Sequence, residues 1–136
     1  MRSAIAVLGG FLIFYVLYGM METTLVRAFA GAPIENLASY LAVRNRPLMG
    51  AAQFVIVPFA ALLAGYMTAK IATAHEMAHG ACAAVLVGAA LLYNLVTADA
   101  APRSIALRAL LVVTAVAALS SGAYVRGQAR ILGSQS

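Results

Sequence analysis

Hydrophobic and polar positions do not alternate along this chain. They segregate into long apolar blocks separated by small groups of charges. Four stretches carry no charged residue: 4–21, closed by Arg2 and Glu22; 47–69, closed by Arg46 and Lys70; 77–98, closed by Glu76 and Asp99; and 109–125, closed by Arg108 and Arg126. They are 18, 23, 22 and 17 residues long. A helix needs about 20 apolar residues, within a range of roughly 17–25, to cross the hydrocarbon core of a bilayer. With no water there to satisfy backbone groups, each stretch must be a helix, because the ~10-residue alternating strands of a membrane barrel are absent. The pattern predicts an all-α fold: a four-transmembrane-helix bundle with spans at about 4–22, 47–70, 76–97 and 105–125. The whole chain, 1–136, is then a single four-span membrane domain.

Composition sharpens this picture. Of 136 residues, 64% are hydrophobic and only 10% are charged, where a soluble domain carries roughly 25% charge. Mean hydropathy is +0.94. The nine Arg and Lys residues and the net charge of +5 are scattered, and they read as anchors at membrane surfaces. Without a basic cluster or an aromatic-interleaved basic stripe, no nucleic-acid partner is expected; the expected partner is the lipid bilayer. Cys82 is the one cysteine, so no intramolecular disulfide can form. The first apolar stretch is too long for a signal peptide, and Glu22 and Arg27 make a poor cleavage region, so it reads as a true span.

The connections differ in length. Those at 70–74 and 99–103 are short, which makes spans 2–3 and 3–4 antiparallel neighbours. The first runs from about Arg27 to Arg46. In it Pro33 can open a short helix at its first position, placing Ile34, Leu37 and Leu41 on one face. Residues 33–43 are thus expected as a short interfacial segment between helices 1 and 2. Four spans put both termini on one side with Arg2, Lys70, Arg126 and Arg130, against Arg27, Arg44, Arg46, Arg103 and Arg108 on the other. Four against five does not decide orientation by the positive-inside rule. The hydrophilic tail 126–136 has no reason to be translocated, so the N-terminus is expected inside.

Close packing of small residues drives helix association in lipid. Gly80, Ala84 and Gly88 repeat every four residues on span 3, Thr114, Ala118 and Gly122 on span 4, and Ala61 and Gly65 on span 2. These stripes are expected to pack the bundle, or to form an oligomer face. Pro58 should kink span 2 by removing a hydrogen bond. Gln53 and Asn94, beside Tyr93, are the intramembrane polar residues, with either an interhelical hydrogen bond or a functional role. With Glu22 taken as the end of span 1, no charge lies at the centre of any span, which speaks against a proton relay, a charged ion pathway or a voltage sensor.

One motif carries chemistry. Residues 75–79 read His-Glu-Met-Ala-His, the H-E-x-x-H pattern in which two histidines on one helix face hold zinc and the glutamate acts on bound water. Cys82 follows His79 by three, so His75, His79 and Cys82 are the candidate metal ligands and Glu76 the candidate catalytic residue. Against this, a zincin needs a third ligand and a cleft. The other acids are Glu22, Glu35 and Asp99, all expected at the far side of the membrane, Asp99 about 30 Å along the helix. Span 4 contains no acid. His75 and Glu76 also stand where a helix begins at an interface, a place that suits both. No cofactor is therefore expected, zinc being the exception to test, and no catalytic residue is assigned.

The passage Ala64-Gly65-Tyr66-Met67-Thr68-Ala69-Lys70-Ile71-Ala72, with His79 opening the next span and Ser39-Tyr40-Leu41-Ala42-Val43 before it, resembles an uncharacterised family of small bacterial four-helix inner-membrane proteins. The resemblance covers about residues 39–90. It implies a four-span fold, a bacterial inner membrane and a scaffold role for His79, and it implies no activity. The expected function is a small polytopic membrane protein, a non-catalytic scaffold or accessory subunit that forms a homo-oligomer or joins a larger membrane complex. Two alternatives are a metal-dependent membrane hydrolase using residues 75–79, and a small carrier or channel for a neutral or lipophilic solute with Pro58 and Gln53 lining its path.

Overall fold

The computed structural model describes residues 2–72, 74–97 and 105–133. Five helices account for them: α1 (Arg2–Ala30), α2 (Leu37–Arg44), α3 (Pro47–Ala72), α4 (Glu76–Thr97) and α5 (Ile105–Gly133). There is no strand among the described residues. α1, α3, α4 and α5 are long and apolar enough to cross a membrane, so the chain is an all-helical bundle with four candidate spans and a short helix between the first two. The expected loop 99–103, and Thr73 within the loop 70–74, lie outside the described residues.

The outermost helices of the chain overrun the expected spans. α1 and α5 are 29 residues each, about 43 Å at 1.5 Å per residue, against ~30 Å of hydrocarbon. α5 continues eight residues past 125. α1 continues eight residues past Glu22, so the acid used to end the first span lies inside the helix.

Burial has the polarity expected in lipid. Leu8, Leu12, Val16 and Met20 form one outward stripe of α1, each more than half exposed. The interior is built of small residues around a few large ones: Phe14, Ile56, Val57, Ala60, Ala61, Ala64, Ala83, Ala84, Val87, Ala115 and Leu119. α3 is the central helix. It packs on α1, α4 and α5, and α1 also packs on α4, while the backbones of α1 and α5 do not approach each other closely.

Sequential neighbours do pack together, but the most extensive contact joins α3 to α5, which are not sequential. The reason is reciprocal glycine. A Cβ on Gly65 would fall 1.9 Å from the Leu119 carbonyl oxygen, and one on Gly122 would fall 2.0 Å from that of Leu62. The two backbones are in contact, an approach only glycine permits. Gly80 meets Ala123 and Gly88 meets Val116 across α4 and α5, and Gly10 of α1 meets Thr68 of α3. Ala61 and Ala84 are buried, Ala118 packs against the core, and the Thr114 hydroxyl donates to the Leu111 carbonyl of its own helix at 2.9 Å. α3 runs unbroken through Pro58.

The short helix starts later than expected. Gly31, at φ +69, ends α1 in the left-handed conformation that glycine tolerates. Pro33 does not open α2. Asn36 caps it instead: its side-chain oxygen accepts from Ser39 N–H at 2.9 Å, and the Ser39 hydroxyl accepts from Asn36 N–H at 3.2 Å. This reciprocal box satisfies first-turn donors that Pro33 could not have reached. Leu37 and Leu41 face outward while Val43, with Tyr40 beside it, packs on Val26 and Met49. α2 is thereby seated on the ends of α1 and α3.

Candidate functional site

Beside that seat lies a polar cluster that the sequence reading did not assemble. Glu22 is 5% exposed, although a buried charge requires partners. It has four. Tyr18, one turn earlier on α1, donates its hydroxyl to Oε2, and its ring stacks on Phe14, with centroids 5.9 Å apart. Gln53 of α3 donates Nε2 to the same oxygen at 3.3 Å. Oε1 accepts from the Tyr40 hydroxyl at 2.9 Å and from Arg44 Nε at 2.6 Å, both on α2. A carboxylate offers about four lone-pair positions, and here four donors from three helices occupy them.

The cluster also tunes its members. Burial alone would lower the Arg44 pKa, but the negative charge of Glu22 and the hydrogen bonds to Tyr18 and Glu22 outweigh it and hold the guanidinium above its ordinary value. Burial, then the hydrogen bond to Glu22 and its charge, push the Tyr40 phenol upward. Nearby, Arg46 Nη1 donates to the Phe29 carbonyl at 2.9 Å, tying the start of α3 to the end of α1.

The expectation that Glu22 ends the first span is therefore corrected: the residue lies within α1, eight residues before its end. A lone acid would end an apolar span, but donors arriving from α2 and α3 let the helix continue through it. The signal was present as two pairs at helical spacing, Tyr18/Glu22 and Tyr40/Arg44, on either side of the first connection.

The H-E-x-x-H residues lie at the opposite end of the bundle. His75 precedes α4 and adopts φ +51, an uncommon conformation for a residue with a Cβ. It is not on the helical track of His79, so the premise of two imidazoles on one helix face does not hold. The His75 carbonyl accepts from the His79 backbone N–H at 3.2 Å, with His79 Nδ1 2.9 Å away. Glu76 accepts from Arg130 Nη1 of α5 at 2.8 Å. Cys82 is exposed. Among the described residues no three His, Cys, Asp or Glu side chains come together as a metal site. Of the intramembrane polar residues, Gln53 joins the Glu22 cluster, whereas Asn94 is exposed and donates to the Ala90 carbonyl at 2.9 Å. Comparison with protein-family models, curated proteins and solved structures finds no match.

Proposed function

We propose that this chain is a non-catalytic membrane scaffold or accessory subunit, multi-pass in a bacterial inner membrane with its N-terminus inside. The observation that carries the reading is the saturation of Glu22. The acid buried within the bundle spends its acceptor positions on Tyr18, Tyr40, Arg44 and Gln53, leaving none for a substrate, proton or cation. Glu76 is engaged by Arg130, and the displaced His75 supports the same conclusion for the other end.

What the chain offers its surroundings is apolar helix surface. Gly19 of α1 has nothing within 4 Å of where its Cβ would stand. With Thr23 four residues on, it lines a shallow outward groove of about 320 Å³. Small residues at this spacing admit a neighbouring transmembrane helix, and no helix among the described residues fills the place. A second copy or a larger partner supplies it.

Cross-linking in membranes followed by purification in mild detergent tests the reading. A stable assembly is expected, and Gly19→Leu should disrupt it while leaving the thermal stability of the subunit unchanged. A strictly solitary monomer would overturn the proposal. So would stoichiometric zinc that is lost in His79→Ala.

A further inference from the structure

α2 is built the wrong way round for a helix at a water surface. Such a helix seats its apolar residues on the protein and turns its charges outward. Here Ser39, Tyr40, Val43 and Arg44 are buried or half-buried, and they include every polar side chain of the helix. Leu37, Ala38, Leu41 and Ala42 are exposed, Leu37 at 71%. The outward face is therefore wholly apolar, while Tyr40 and Arg44 direct their polar groups to Glu22.

Both ends of α2 are also closed internally. The Ser39 hydroxyl, besides accepting from Asn36 N–H, donates to the Asn36 carbonyl at 2.8 Å. At the other end the Asn45 N–H donates to the Leu41 carbonyl at 2.9 Å, and the Arg46 N–H to that of Val43 at 3.1 Å. A helix in water can leave its end groups to solvent, whereas hydrocarbon requires them to be satisfied within the protein. Depth follows from the charges. The 23 uncharged residues between Arg46 and Lys70 extend about 35 Å as a helix, against ~30 Å of hydrocarbon. The acyl layer thus begins within a turn of Arg46, at the level of Met49, and Met49 is where Val43 of α2 packs. The rim beyond it carries Arg27 and Arg46, both exposed, against one exposed acid, Glu35, a balance complementary to phosphate headgroups.

We propose that the outward face of α2 is a lipid-contact surface, sunk into the edge of the acyl layer with the headgroups at the level of Arg27 and Arg46. α2 then roofs the Glu22 cluster beneath the headgroups and keeps water from it. Ile34, expected on the same face as Leu37 and Leu41, packs instead with Val26, Val43 and Met49, so the lipid face belongs to α2 alone. This contact does not require the chain to assemble.

The chain contains no tryptophan, so Leu37→Trp and Leu41→Trp each introduce a single emitter at an exposed position. The full chain is reconstituted in vesicles of phosphatidylglycerol and phosphatidylcholine, the latter brominated on its acyl chains. Quenching by the bromolipid is expected to fall within roughly threefold of that for Leu12→Trp on the outward stripe of α1, as an apolar face entering the acyl boundary should give. Aqueous iodide should leave the emission unquenched. If one variant fails to fold, the other reports alone. Emission quenched by iodide and not by bromolipid would put α2 in water and overturn the proposal. Emission reached by neither quencher would overturn it as well, because a protein partner would then cover this face.

Discussion

The two ends of the bundle each carry a glutamate paired with an arginine, and the pairs have little else in common. At one end Glu22 has a side chain 7% exposed and receives donors from α1, α2 and α3. At the other, Glu76 has a side chain 13% exposed and is met by one cation, Arg130, which is 54% exposed where Arg44 is 36%. An ion pair held in water gains little, because solvent screens it and two long side chains must be ordered. A buried carboxylate gains little from burial itself, but loses much if a partner is removed. The same residue types therefore act as a structural clip in one place and as a loose surface pair in the other. What separates them is how many elements converge on the acid.

Deleting partners should expose this difference. Arg44→Ala leaves the Glu22 charge in a buried site and should destabilise the protein by about 3–5 kcal/mol, measured by unfolding in mixed micelles. Gln53→Ala removes one donor to a charged acceptor and should cost about 1.5–3 kcal/mol. A double-mutant cycle of Arg44 with Gln53 should show non-additivity, since both serve one carboxylate.

Alkaline pH probes the same clip more gently. The Tyr40 phenol is raised above its ordinary 10.0 by burial and by Glu22. A raised folded value means that the neutral phenol is favoured in the fold. Its contribution is complete below the unfolded value and is lost as pH climbs through the folded one. Stability measured from neutral pH to above 10.0 should decline on the alkaline side, and Tyr40→Phe should reduce that decline. The smallest effect is expected at the opposite end. Glu76→Gln should change stability by less than about 1 kcal/mol, and that change should shrink further with added salt, which screens a pair whose cation is exposed.

The bundle was legible in the sequence because apolar length is a one-dimensional property. Pro47 and Lys70 bracket α3 closely, and Glu76 marks the start of α4. The stripes at Gly65 and Gly122 were legible as well, although which helices they would join was not. That pairing depends on reciprocal shape, and the α3–α5 contact joins residues more than fifty positions apart. The Glu22 cluster was missed for a specific reason. A charge interrupts an apolar count whether it faces water or four donors, and the donors at Tyr40, Arg44 and Gln53 lie 18 to 31 positions downstream. His75 shows the converse error. The spacing of H-E-x-x-H is a helical signal only when both histidines lie within the helix, and here the helix begins between them.

The clip also sets an order for making the protein. As α1 is synthesised and enters the bilayer, Glu22 has one donor within its own helix, Tyr18. The others arrive with the two helices that follow. Until then the first span carries an acid that the membrane tolerates poorly. α1 is thus committed to its final place by segments not yet made when it first inserts. A chain stopped after α1 would hold an unfinished helix, its acid met by one donor of the four.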